Sequence, residues 1–166
     1  MEIPHANLNT VPLVCAVVTV SDTRTELTDE SGKLIQTMLS QADMTVGDYQ
    51  ILPDEPEKIR AHLRALGQKP EVKAVILNGG TGIAPRDTTY DAIASILSKS
   101  LPGFGEIFRQ LSYQEIGSRA IASRATAGIY QNQLVFSLPG SKKAVRLAME
   151  ALIIPELPHL VALLND

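Results

Sequence analysis

The chain has 166 residues and is 45% hydrophobic, enough apolar material for one globular domain with a sizeable core. Its formal net charge of −3 supplies no global basic field for nucleic acid, so an anionic ligand must be held by local amides and a few bases. The single cysteine, Cys15, excludes an internal disulfide and reads as a buried, inert thiol.

The start, "MEIPHANLNTV", has no basic leader region, and the apolar run after it is too short to span a membrane. Residues 1–12 read as a tail or arm and residues 13–166 as a single domain. A soluble, cytoplasmic protein is expected, with no membrane partner and no nucleic-acid partner.

In chain order, residues 13–21 ("LVCAVVTVS") are nearly all β-branched or apolar, the pattern of a strand buried on both faces. Residues 29–42 predict a helix capped by Thr28 or Asp29, with Leu34, Ile35, Met38 and Leu39 as its apolar stripe. Residues 45–52 predict a weaker strand, and 56–66 a helix that opens on a proline and stops at Gly67. Residues 72–77 ("VKAVIL") predict a third buried strand that ends at glycines. In "TTYDAIASIL", Thr88 and Asp91 match a capping box in its Asp variant. Residues 104–116 read as helical, 119–128 as ambiguous and partly helical, and 133–138 as a strand. A long helix begins near Ser141, with Pro155 and Pro158 expected to interrupt it or begin another.

Alternating strands and helices predict an α/β fold, a three-layer α/β/α sandwich on a largely parallel central sheet. Ligands in such sheets bind outside the carboxyl ends of the strands. Four unusual segments fall there: "SDTR" (21–24), "LPDE" (52–55), "NGGTG" (78–82) and "LPGS" (138–141).

The run "LNGGTGIAPRDTTYD" carries the strongest signal. Glycines permit positive φ and let a ligand approach the backbone. Successive amides there form an anion-binding nest; a tight turn without ligand is the plain alternative. The spacing fits neither a dinucleotide fingerprint, because Pro85 takes the last glycine position, nor a Walker A motif, because no Lys-Ser or Lys-Thr follows. Arg86 is placed to clamp a phosphate. Asp87 is either a helix cap or a ligand of a Mg²⁺ ion that bridges phosphate oxygens. Asp54 is likewise a turn residue or a metal ligand, and Glu55 is a weaker candidate.

Asp22, with Ser21 and Arg24, either forms a turn or bonds a ligand. "LPGSKKAV" reads as a second anion-binding helix start: Gly140 allows close approach, Ser141 can cap, and Lys142 and Lys143 oppose the macrodipole. Glu106 and Arg109 lie one helical turn apart and can pair. His5, His62 and His159 form no cluster, so neither a zinc-type ligand spacing nor a Ser-His-Asp set is present. The chemistry must then run on positioning and charge, as in nucleotidyl or phosphoryl transfer.

Together these segments resemble the molybdopterin adenylyltransferase family, the MogA/MoaB-type proteins of molybdenum cofactor biosynthesis. The resemblance covers nearly the whole chain. It rests on "NGGTGIAPRDTTYDAI", "PGFGEIFRQLSYQEIG", "SRATAG" and "SLPGSKKAV", in the family's order. It implies an enzyme that binds molybdopterin and Mg-ATP, transfers AMP to the terminal phosphate of molybdopterin and releases pyrophosphate. Asp54 and Asp87 would be the catalytic and Mg²⁺-holding carboxylates. Gly79, Gly80, Thr81, Gly82, Arg86, Pro139, Gly140, Ser141 and Lys142 would contact nucleotide and phosphate. Asp22, Ser112 and Ser123 would contact molybdopterin. The resemblance also implies a homo-oligomer, a trimer or a hexamer built as a dimer of trimers, and other cofactor-synthesis proteins as partners. Asn78 stands where many members carry threonine or serine, and "TTYDAI" replaces the commoner "VTPEA" or "VTPDA". The alternative is a MoaB-type protein that binds or scaffolds molybdopterin without adenylating it.

Overall fold

A computed structural model describes residues 12–166; the expected arm lies, apart from Pro12, outside them. Strand β1 (Val14–Val20) is followed by helix α1 (Glu30–Gln41), β2 (Thr45–Leu52), α2 (Pro56–Gly67), β3 (Val72–Asn78) and α3 (Thr89–Ala94). Then come β4 (Lys99–Ser100), α4 (Pro102–Ile116), β5 (Thr126–Tyr130), β6 (Gln133–Leu138), α5 (Lys142–Ala148) and α6 (Ile154–Leu164). The sheet order is β2-β1-β3-β6-β5-β4. Strands β2, β1, β3 and β6 run parallel, whereas β5 and β4 are antiparallel to their neighbours.

Alternate residues of the central strands feed two separate cores. Cys15, Val17, Ala74, Ile76, Leu134 and Phe136 face α1, α4 and the C-terminal helices. Ala16, Val18, Val20, Val75, Leu77 and Val135 face α2 and α3. Both faces are covered, which is why β1 and β3 are apolar throughout rather than alternating. The three layers follow directly.

After β1 the chain turns to the layer of α1, and after the adjacent β3 it turns to the layer of α3. Neighbouring strands whose connections diverge in this way open a crevice at their carboxyl ends. The glycine loop leaves β3 at that crevice.

The ambiguous stretch 119–128 resolves into a 3-10 segment, Gly117–Ala122, and strand β5. Small residues hid the strand. At Gly128 the Lys99 carbonyl and the Leu97 side chain leave no room for a Cβ. Gln131 and Asn132 both have positive φ, 46° and 63°, the geometry of a two-residue hairpin turn from β5 to β6.

Pro155 begins a second helix, one of the two expected outcomes, and Pro158 lies inside that helix without breaking it. A π-helical segment, Met149–Ile153, joins α5 to α6, and Pro155 sits in the first turn of α6. The run Lys142–Leu164 is 23 residues long with mean hydropathy 1.7, enough by length and composition to cross a membrane. One face is nevertheless built into the core through Val145, Ala148, Met149, Ile153, Leu157 and Val161.

Candidate active site

A cleft of about 360 Å³ opens beside that crevice, between the loops that follow β3 and β6. Its floor is the glycine loop, Gly79 to Gly82, and Pro139, Gly140 and Ser141 of the loop after β6. Asp87 lies on its rim, and Phe108, Ser112, Ile116, Ala122, Ser123 and Ala144 complete the wall. Ten of the residues expected at a ligand site therefore share one cavity. Asp22, Asp54, Arg86 and Lys142 stand outside its lining.

The two loops meet backbone to backbone. A Cβ at Gly140 would lie 3.3 Å from Gly79 Cα, and one at Gly79 would strike the Val20 carbonyl. Gly79 and Gly80 have φ of 103° and 66°, a region that L side chains avoid. The Gly79 amide donates to Leu138 O at 2.9 Å. Among the described residues, the amides of Gly80, Thr81 and Gly82 have no protein acceptor. Unpaired amides in a glycine loop form an anion-binding concavity.

The two aspartates flank this loop. A Cβ at Gly80 would lie 2.6 Å from Asp54 Oδ2, and one at Gly82 would lie 2.7 Å from Asp87 Oδ2. Asp54 is only 6% exposed and is held by the start of α3. Its Oδ1 accepts from Thr88 Oγ1 (2.7 Å) and Thr89 Oγ1 (3.2 Å), and both its oxygens lie 3.3 Å from the Thr88 amide. The expected capping box therefore does not form. The Thr88 hydroxyl donates to Asp54, and Asp91 instead accepts from Arg124 at 2.6 Å. Asp87 is no helix cap either; its Oδ2 accepts from the Ala84 amide at 3.1 Å and so closes the loop.

Arg86 holds Asp22 with two hydrogen bonds, Nε to Oδ2 at 2.6 Å and Nη2 to Oδ1 at 2.7 Å. Asp22 Oδ1 also accepts the Asp54 amide at 3.1 Å. The Arg86 hydrogen bond, then the Asp54 amide, hold the Asp22 carboxyl below the usual carboxylate range. Lys142 lies 3.6 Å from Glu30. Ser141 caps α5 as expected, accepting from the Ala144 amide at 3.2 Å. Arg109 bonds the Ser123 and Ala125 carbonyls, with no ion pair to Glu106.

Sequence reasoning missed a buried network behind the loops. Asp29, 1% exposed, caps α1 by accepting the Gly32 amide at 2.8 Å. Its Oδ2 also accepts from Thr19 Oγ1 and Tyr49 OH, both at 2.6 Å. Asn78 Nδ2 donates to Thr19 Oγ1 at 2.9 Å, and Ser31 Oγ donates to Gly140 O at 2.7 Å. Only the capping role of Asp29 had a local signal.

The donor set suits a hard cation. Carboxylates and phosphate oxygens are the ordinary Mg²⁺ ligands, with few supplied by protein. Among the described residues no group of three His, Cys, Asp or Glu gathers as a metal cage. Asp54 and Asp87 could thus supply only part of a cation's shell.

Such a site, on this sheet, defines an α/β domain with an anion-receptive cleft at the carboxyl ends of its parallel strands. Residues 16–159 match the family described as "Probable molybdopterin binding domain", and the chain belongs to that family. A curated relative, Molybdenum cofactor biosynthesis protein B of Bacillus subtilis, is 56% identical over 148 residues, 89% of this chain and 87% of the relative. A crystal structure of a Molybdenum cofactor biosynthesis protein B superposes with TM-score 0.91 at 46% identity, covering 95% of this chain and 99% of that one. The tungsten cofactor synthesizing protein MoaB from Pyrococcus furiosus superposes at 0.84 with 36% identity, covering 93% and 98%. Within the family the chain is of the MoaB/MogA type.

Proposed function

We propose that this protein acts in molybdenum cofactor biosynthesis and adenylates molybdopterin with Mg-ATP. The observation that carries the reading is the placement of Asp54 and Asp87 on either side of a glycine loop whose amides are unpaired. The Gly80–Gly82 amides would take phosphate oxygens. Phe108 and Ile116 offer an apolar wall for a flat ring, and Ser112 and Ser123 offer hydroxyls to orient it. An oxygen of the molybdopterin phosphate would attack the α-phosphorus of ATP, forming one P–O bond while the bond to pyrophosphate breaks. Mg²⁺ held by Asp54 and Asp87 would supply charge neutralisation at the phosphates. Asp22 would keep Arg86 at the rim of the site, and Lys142 would offset charge from the α5 start.

The alternative is a binding or scaffold protein that keeps the cleft without turnover. The names of its relatives, cofactor biosynthesis proteins B, leave room for it. An assay of the purified protein with molybdopterin, ATP and Mg²⁺ decides between them. Adenylated molybdopterin supports the enzyme; bound pterin without product supports the scaffold. We further propose a soluble, cytoplasmic homo-oligomer, a trimer or hexamer, working beside other cofactor-synthesis proteins.

A further inference from the structure

Two loops form the floor of the cleft, and both lead back to the first turn of α1. From Asp29, hydrogen bonds run through Thr19 Oγ1 to the Asn78 amide, the residue just before Gly79. From Ser31, one hydrogen bond runs to the Gly140 carbonyl of the second loop. Tyr49 braces Asp29 from β2. Three of the carboxylate's roughly four lone-pair sites accept donors from inside the protein, so its main work is structural.

We infer that the start of α1 is a positioning device: Asp29, through Thr19 and Asn78, and Ser31 set the two anion-binding loops at the spacing a phosphate ligand needs. The inference rests on the proposed phosphate-binding reading of the cleft. Glycine loops gain their ligand geometry from backbone freedom, and the same freedom lets them drift. Preorganised donors bind tightly only when something rigid holds them. A capped helix anchored in the core through Ile35, Met38 and Leu39 is such a support. The Asn78 side-chain amide reaches Thr19 across the β1–β3 pair.

Two measurements on the full chain test it separately. Amide hydrogen exchange without ligand tests the device; calorimetric binding of Mg-ATP and of inorganic pyrophosphate tests the phosphate-binding reading. Ser31→Ala should speed exchange at the Ala144 amide, which is bonded to Ser141 Oγ, and Thr19→Val should speed it at the Gly79 amide, which is bonded to Leu138 O, with the central strands unchanged. Each should weaken binding about 3- to 10-fold, the scale of one lost hydrogen bond. Thr19→Ser, which restores the hydroxyl, should recover both readouts. Unchanged exchange in both variants overturns the inference. Weaker binding with unchanged exchange also overturns it, because the side chains would then touch ligand directly. Faster exchange in a protein that never binds ATP or pyrophosphate leaves the device standing and removes the phosphate-binding reading.

Discussion

Arg86 and Asp22, 64 residues apart in the chain, are joined by two hydrogen bonds across the mouth of the site. The pair ties the loop after β1 to the loop after β3. Both side chains are well exposed, so its worth to global stability is small. Its pH dependence has a definite sign. The folded carboxyl titrates below its unfolded value, so the link is complete above the ordinary carboxylate range and is lost as pH falls through the depressed value. The exchange rate of residues 83–88, once divided by the intrinsic rate at each pH, should be flat from neutral pH down to the ordinary carboxylate range, and should rise only in stronger acid. Asp22→Asn should show the raised rate at neutral pH.

The two carboxylates flanking the glycine loop should separate by their structural roles. Asp87→Asn removes charge from the rim and should leave the melting temperature nearly unchanged. Asp54→Asn disturbs a buried acceptor of the Thr88 and Thr89 hydroxyls and should also cost about 1–3 kcal/mol of stability. Both should lower adenylation about 100- to 1,000-fold, and the double variant should be little slower than either, as residues acting as a unit behave. Full activity in Asp87→Asn would remove the metal assignment.

Gly80→Val should abolish anion binding. Its Cβ would meet Thr89 and Asp54, and φ of 66° strains any side chain. About 1–3 kcal/mol of stability should go with it, leaving a folded protein by circular dichroism. A sulfate or phosphate soak of the unsubstituted protein should show density at the Gly80–Gly82 amides.

Cys15 is fully buried in β1, and burial pushes its thiol up to about 12. It should resist thiol reagents at pH 8 in the folded protein and react at once in denaturant. Rapid labelling under native conditions would mean that the core around β1 opens.

Tyr113, Ile116 and Ile121 are exposed at 62%, 48% and 84% on α4 and the 3-10 segment after it. Sedimentation should show a homo-oligomer, and Ile121→Glu should shift it toward smaller species. A stable monomer at micromolar concentration would contradict the proposed assembly.

The strands of this fold were easy to read because a parallel strand covered on both faces is an unbroken apolar run, as in "VCAVVTV" and "VKAVILN". Strand β5 was not, because "TAGIY" is short and opens on three small residues. The cleft was legible where backbone does the binding, since glycine and proline announce such loops. It was not legible where distant side chains meet. Nothing local to Thr88 points to Asp54, and nothing near Arg86 points to Asp22. Tyr49, in a weak strand pattern, gave no hint that it donates to Asp29.

The two-residue turn at Gln131–Asn132 has a consequence for how the chain reaches this state. The β5–β6 hairpin needs only neighbouring residues, and such hairpins close in about 1–10 μs. Pairing of Ala74 with Leu134 must instead bridge the whole segment between them. Non-local parallel pairing is the slow kind. Only that step brings Gly79 beside Gly140. In a stopped-flow refolding experiment, therefore, affinity for pyrophosphate should be among the last properties to return, well after the hairpin's own amides are protected.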